Sequence, residues 1–208
     1  MFLQPNDAIV FTGDSITDAG RNRQGKGMDG LGGGYAMMAA ALLSARFPDW
    51  NLRFENSGIG GNRLSDLEAR LETDVLAHAP TIVSILIGIN DTWRRYDSND
   101  PSPFDDFAAS YQRVASAIQK SGARLLILEP FVLPVPDDRR AWREDLDPRI
   151  HICRDIAREF GALYLPLDGL FAAAATRRDA AFWLPDGVHP TLAGHALIAQ
   201  NWIDAVTA

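Results

Sequence analysis

The 208-residue chain has a single cysteine, Cys153, so it has no intramolecular disulfide framework and no zinc site built on two or more thiolates. Nor does it contain a charge-free run of about 18 apolar residues, the length a bilayer-spanning helix needs. The opening Met1-Phe2-Leu3-Gln4-Pro5-Asn6-Asp7 has neither a positive region nor a long apolar stretch, so no signal peptide is expected and the expected compartment is cytoplasmic. Positive charge is in deficit: 20 Lys and Arg stand against 27 Asp and Glu, a net charge of −7. That balance argues against nucleic acid as a partner, which needs a basic face to neutralise phosphates, and against an anionic membrane. None of the four histidines, His78, His151, His189 and His195, has HExxH spacing, so no metal site is expected. Repeats, low-complexity stretches and composition shifts are also missing, which reads as a single domain over residues 1–208.

With 47% hydrophobic residues, a chain this long can bury a core without covalent staples. Five short apolar runs have strand length: Ala8 to Phe11, Leu52 to Phe54, Ile82 to Ile87, Leu125 to Leu128 and Ala162 to Leu165. They are mostly unalternated, as in parallel strands covered on both faces. Helix-period stretches separate them. Tyr35 to Phe47 stops before Pro48, and Leu64 to His78 stops before Pro80. Ser102-Pro103 reads as an N-cap with Pro at the first helical position, opening a helix to Lys120. Asp147-Pro148 reads the same way for a helix from Arg149 to Phe160, and a last helix is expected from Thr191 to Ala205. The alternation predicts an α/β fold, a three-layer α/β/α sandwich with a five-stranded parallel sheet in the flavodoxin-like order 2-1-3-4-5. The irregular stretches Asp14 to Gly34, Trp93 to Pro101 and Pro130 to Arg140 begin at carboxyl ends of strands, the edge where such sheets bind ligands.

Four short motifs fall at that edge. The first strand runs into Thr12-Gly13-Asp14-Ser15-Ile16-Thr17-Asp18, where Gly13 permits a sharp exit and Ser15 stands near free backbone N–H groups. By itself it reads sooner as a turn with an N-cap, since such triplets are common. The second strand runs into Asn56-Ser57-Gly58-Ile59-Gly60-Gly61-Asn62-Arg63, whose glycines let a bound group approach the backbone. It is not a dinucleotide fingerprint, because Arg63 takes the third glycine position, and there is no Walker A pattern. The third strand ends in Gly88-Ile89-Asn90-Asp91, where an amide can donate to an oxyanion or simply close an Asx-turn. Asn90-Asp91-Thr92 also fits the N-glycosylation pattern, read as accidental without an export signal. Late in the chain, Asp186 and His189 lie three apart in Leu184-Pro185-Asp186-Gly187-Val188-His189-Pro190. A carboxylate at that spacing can hold Nδ1–H of the imidazole and leave Nε2 free as a base. His195, on the following helix, reads as a packing or surface residue.

Taken together and in this order, these motifs resemble the SGNH hydrolases, the GDSL-type esterases. Ser15 matches the serine of their first block, Gly61 the glycine of the second, Asn90 the asparagine of the third, and Asp186 with His189 the final Asp-x-x-His. The first block reads Gly-Asp-Ser-Ile rather than Gly-Asp-Ser-Leu. Asp14 to Arg21, the glycines before Tyr35 and Ile89 to Tyr96 are similar to bacterial SGNH acetylxylan esterases, whose Trp before the final Asp is Pro185 here. The resemblance implies a serine carboxylic-ester hydrolase with Ser15, His189 and Asp186 as catalytic triad and Ser15, Gly61 and Asn90 as oxyanion hole. It implies no cofactor, and a small-molecule or oligosaccharide ester as substrate, with acetylated xylo-oligosaccharides foremost. Trp93, Tyr96 and Trp183 are expected to offer sugar-binding faces. A thioesterase or lysophospholipase of the same family, or a non-catalytic carbohydrate-binding protein, is the alternative. A glycosidase would need paired carboxylates among Asp137, Asp138, Glu144, Asp145 and Asp147, which read as a solvated face. The sequence leaves a homo-oligomer open.

Overall fold

The computed structural model describes all 208 residues. Its strands are β1 (Ala8–Gly13), β2 (Arg53–Asn56), β3 (Ile82–Leu86), β4 (Arg124–Leu128) and β5 (Leu163–Leu165). All neighbours pair in parallel, and the order is β2-β1-β3-β4-β5, as the alternation of elements predicts. Parallel pairing demands a crossover between strands, so each strand leads into helix. The helices are α1 (Ser15–Asp18), α2 (Met28–Leu31), α3 (Tyr35–Arg46), α4 (Leu64–Ala69), α5 (Leu71–Asp74), α6 (Ile89–Asp97), α7 (Phe104–Lys120), α8 (Arg143–Glu159), α9 (Leu167–Ala175), α10 (Ala180–Trp183) and α11 (Leu192–Thr207). None is long and apolar enough to cross a membrane.

The pleat divides the apolar strand residues between two cores. Ile9, Phe11, Ile82, Leu86, Leu126 and Leu128 face one way, where they meet Tyr35 and Leu43 of α3 and Ile198 and Trp202 of α11. Val10, Val83, Ile85, Leu125 and Ile127 face the other, against Leu64 and Leu67 of α4, Tyr111, Val114 and Ile118 of α7 and Ile156 of α8. The one polar side chain inside β3, Ser84, is satisfied across the first core by the indole N–H of Trp202 at 3.0 Å.

Several boundaries differ from the sequence reading. Leu64 to His78 is not one helix but α4, α5 and a 3₁₀ turn at Leu76–His78. Arg70 breaks the run, with its side chain drawn into hydrogen bonds outside the helix. Pro103 sits at the N-cap of α7 rather than at its first position. Trp93 to Tyr96 are helical, within α6. The helix expected from Arg149 begins at Arg143 and runs through Pro148. Leu146 and Ile150 are buried on either side of that proline, and Asp145 pairs with Arg149 across it, so packing overrides the missing N–H. The carboxylates read as a solvated face include this buried Asp145, which also meets Arg95 of α6 at 3.3 Å.

Candidate active site

Ser15 is brought to the carboxyl edge by a backbone only glycine can follow. Gly13 has φ +157°, and a Cβ there would lie 2.1 Å from the Leu86 carbonyl oxygen. Asp14 then caps α1, its Oδ1 accepting from the Ile16 N–H at 3.0 Å. Ser15 is the first residue of that helix, so its own N–H has no carbonyl within the helix to bond.

The loop after β2 is fastened against this turn. Asn56 donates from Nδ2 to the Thr17 and Leu31 carbonyls at 2.7 and 2.8 Å. The Gly60 N–H donates to Asp18 at 3.1 Å. Gly58 passes so close that a Cβ on it would stand 2.4 Å from the Asp18 nitrogen. Gly61 keeps an N–H with no acceptor inside the protein. Asn90, in the first turn of α6, donates one amide hydrogen to the Asn62 carbonyl at 3.0 Å, which leaves the other free. Its neighbour Asp91 accepts from the Leu64 N–H and from Ser102, tying α4 and the start of α7 to α6.

The turn before α11 supplies the remaining groups. Asp186 Oδ1 accepts from the Val188 and His189 backbone N–H groups at 3.0 and 2.7 Å. Asp186 Oδ2 lies 2.6 Å from His189 Nδ1, and His189 Nε2 lies 2.8 Å from Ser15 Oγ. Burial pushes the Asp186 carboxyl up, but the His189 side chain and the two backbone donors outweigh it and hold the pKa at about 2. An ionised carboxylate only accepts, so Nδ1 of His189 carries the proton and Nε2 of the neutral ring is free to take one. The hydrogen bond to Asp186 raises the His189 pKa above its ordinary value, against a smaller opposing effect of burial. This line of groups can draw a proton from the Ser15 hydroxyl beside free N–H donors suited to a developing negative charge.

The expected aromatic residues are placed differently from one another. The Trp93 ring lies 5.9 Å from that of His189 and packs on Trp142 at 5.1 Å. Tyr96 stacks on Trp142, with its hydroxyl donated to the Ala141 carbonyl at 2.7 Å. Arg139 lies over the Trp142 ring at 4.0 Å, and these four side chains line a cavity of about 320 Å³. Trp183 instead packs edge-on against Phe182, its carbonyl accepting from Thr191 at the start of α11. His195 is a buried acceptor for the Tyr35 N–H at 3.2 Å, and burial lowers its pKa to about 4. No three His, Cys, Asp or Glu side chains converge as a metal-ligand set. Sequence reading passed over Asn62, Arg70, Asp91, Arg139 and Trp142, each of which has at least one partner from a distant part of the chain.

Known proteins resemble the chain over nearly its whole length. The model of the GDSL-like lipase/acylhydrolase family matches residues 11–197. An acetylxylan esterase from Geobacillus stearothermophilus is 33% identical over 213 aligned residues, covering 98% of this chain and 95% of that one. The crystal structure of an acetylxylan esterase from the same organism superposes with a TM-score of 0.91 at 32% identity, over 100% of this chain and 97% of that one. The structure of an α/β hydrolase enzyme from the metagenome of Lake Arreo, Spain, gives 0.92 at 31% identity, over 100% and 98%.

Proposed function

Because the chain belongs to the GDSL-like lipase/acylhydrolase family and is a carboxylic ester hydrolase, we propose that it deacetylates acetylated sugars such as xylo-oligosaccharides by Ser-His-Asp acyl transfer. The observation that carries the reading is the unbroken line from Ser15 Oγ to His189 Nε2 at 2.8 Å and from His189 Nδ1 to Asp186 Oδ2 at 2.6 Å.

His189 Nε2 takes the Ser15 proton as Oγ bonds to the acetyl carbonyl carbon. The carbonyl π electrons move onto oxygen, and the N–H groups of Ser15 and Gly61 with the Asn90 amide receive that charge. The tetrahedral intermediate collapses, the C–O bond to the sugar breaks, and His189 gives its proton to the leaving alkoxide. Water then attacks the acetyl-enzyme with His189 again as base, and expulsion of Ser15 Oγ releases acetate. Asp186 keeps the imidazole in one tautomer and stabilises its charged form throughout. The acetyl and sugar preference draws its support from the relatives' activity and from Trp93 beside His189, with the half-exposed Tyr96 next to it. Trp93 and Tyr96 would meet the sugar, with Trp183 as a further aromatic face.

The test is acetate release from acetylated xylose and xylo-oligosaccharides, alongside 4-nitrophenyl acetate, butyrate and octanoate. Acetyl esters are expected to lead, and Ser15→Ala is expected to lower kcat by about 10⁶ with the circular dichroism unchanged. A dominant octanoate rate would overturn the acetyl-sugar reading, and near-normal turnover by Ser15→Ala would remove Ser15 from the mechanism.

A further inference from the structure

Arg70 makes three hydrogen bonds that the acyl-transfer scheme does not use. It lies just past the last residue of α4, and its side chain is only 12% exposed. Nε donates to Asn62 Oδ1 at 2.7 Å, Nη1 to the Ser57 carbonyl at 2.7 Å and Nη2 to the Gly13 carbonyl at 3.1 Å.

The three acceptors lie in the two loops that carry the Ser15 and Gly61 N–H groups. Gly13 is two residues before Ser15 and sets the exit of β1. Ser57 opens the loop that ends at Gly61. Asn62 follows Gly61 directly, and its backbone carbonyl is the acceptor that orients the Asn90 amide at 3.0 Å. One guanidinium therefore touches the segments carrying the Ser15 and Gly61 N–H groups directly and reaches the Asn90 amide through Asn62. The three donors come from three separate βα connections, and no local turn can fix their mutual distances. A planar fork of N–H donors can reach several acceptors at once, which a single ammonium cannot. Other charges around it are few. Asp74, 3.7 Å from Nη1, supports the cation, as does Asp66 from a greater distance, while Arg21 and burial oppose it. A guanidinium in such a place keeps its proton.

We propose that Arg70 is a positioning residue for ester hydrolysis, locking the Ser15, Gly61 and Asn90 donors into one oxyanion site. The inference rests on the acyl-transfer reading above. Oxyanion donors act only within a narrow range of distance, and misplacement by about 1 Å costs on the order of 10² in rate. Such a loss falls on kcat, because the oxyanion exists only after binding.

The experiment measures kcat, KM and melting temperature with 4-nitrophenyl acetate for Ser15→Ala, Asn90→Ala, Arg70→Ala, Arg70→Lys and the double variant Arg70→Lys/Asn90→Ala. Arg70→Lys keeps the charge, so it remains informative if Arg70→Ala fails to fold. It is expected to lower kcat by about 10- to 100-fold with KM little changed. Asn90→Ala is expected to lower kcat by about 10²–10³. The double variant is expected to lose much less than the product of the two, because part of the Arg70 effect runs through Asn62 to Asn90. Normal kcat in Arg70→Lys, or losses that multiply fully, overturns the proposal while the hydrolytic reading stands. Normal turnover in Ser15→Ala and Asn90→Ala removes that reading and the proposal together.

Discussion

Two opposing effects set the charge of His189. The hydrogen bond from Nδ1 to Asp186 favours the imidazolium, as does the nearby Asp14 carboxyl, while partial burial favours the neutral ring. The balance lies above the ordinary value of 6.5. A base must be neutral to accept the Ser15 proton, so activity is lost as pH falls through this raised pKa. The expected profile of kcat/KM has one acid limb centred above 6.5 and holds through mildly alkaline pH. Asp186→Asn removes the main cause of the rise, so its limb shifts to lower pH while kcat falls by about 10⁴. Steady-state rates from pH 5 to 9 check both, and a profile that climbs toward acid contradicts His189 as base. Ser15, Asn90 and the Asp186–His189 pair were legible in the sequence because each sits at a strand end or within one turn. Arg70 was not, because its acceptors Ser57 and Gly13 lie 13 and 57 residues away and nothing local marks it.

Helix α8 is held by charge where its sequence looked solvent-facing. Arg149 is fully buried, donating to Asp145 at 2.9 Å and to the Ser102 carbonyl at 2.6 Å. Its guanidinium also lies over the rings of Phe104 and Phe107 of α7, at 5.0 and 4.9 Å. Asp145 reaches on to Arg95 of α6, so one ion pair joins three helices around the aromatic wall of the site. Such a cluster is invisible in a local window, where Arg-Glu-Asp-Leu-Asp-Pro-Arg reads as exposed charge with a helix start at Asp147-Pro148. The strands were legible because both their faces are covered and their apolar runs are unbroken. Arg149→Leu leaves Asp145 buried with only Arg95 beside it, and is expected to cost about 3–5 kcal/mol in urea unfolding. Arg149→Met with Asp145→Leu removes both charges and is expected to regain most of that loss. A single-variant cost under about 1 kcal/mol would show that the pair does not organise these helices.

For the whole molecule, the layered order was accessible from the alternation of elements, and with it the edge where the motifs meet. The cost of building the site at that edge was not, because it depends on what surrounds two carboxyl groups that the sequence shows only as turn formers. Asp14, beside the nucleophile, is fully buried, and its Oδ2 has no hydrogen-bond partner. Burial pushes its pKa up to about 7, against the Ile16 N–H and His189 and with the help of Asp91. Burial also raises Asp91, to about 6. The unfolded chain releases these protons near pH 4, whereas the folded chain holds them to higher pH. Between those limits the folded state binds more protons, so stability falls as pH rises, by about 1.4 kcal/mol per pH unit for each group. Asp14→Asn keeps an Oδ1 acceptor for the Ile16 N–H and abolishes the titration. Urea unfolding at pH 5 and pH 8 should therefore show a stability drop smaller than in the wild type, by on the order of 2 kcal/mol. Since the raised His189 pKa also favours the folded state at lower pH, some loss with rising pH persists in the variant. Equal drops in the two proteins would mean that Asp14 is ionised in the folded site at pH 5 as it is in the unfolded chain.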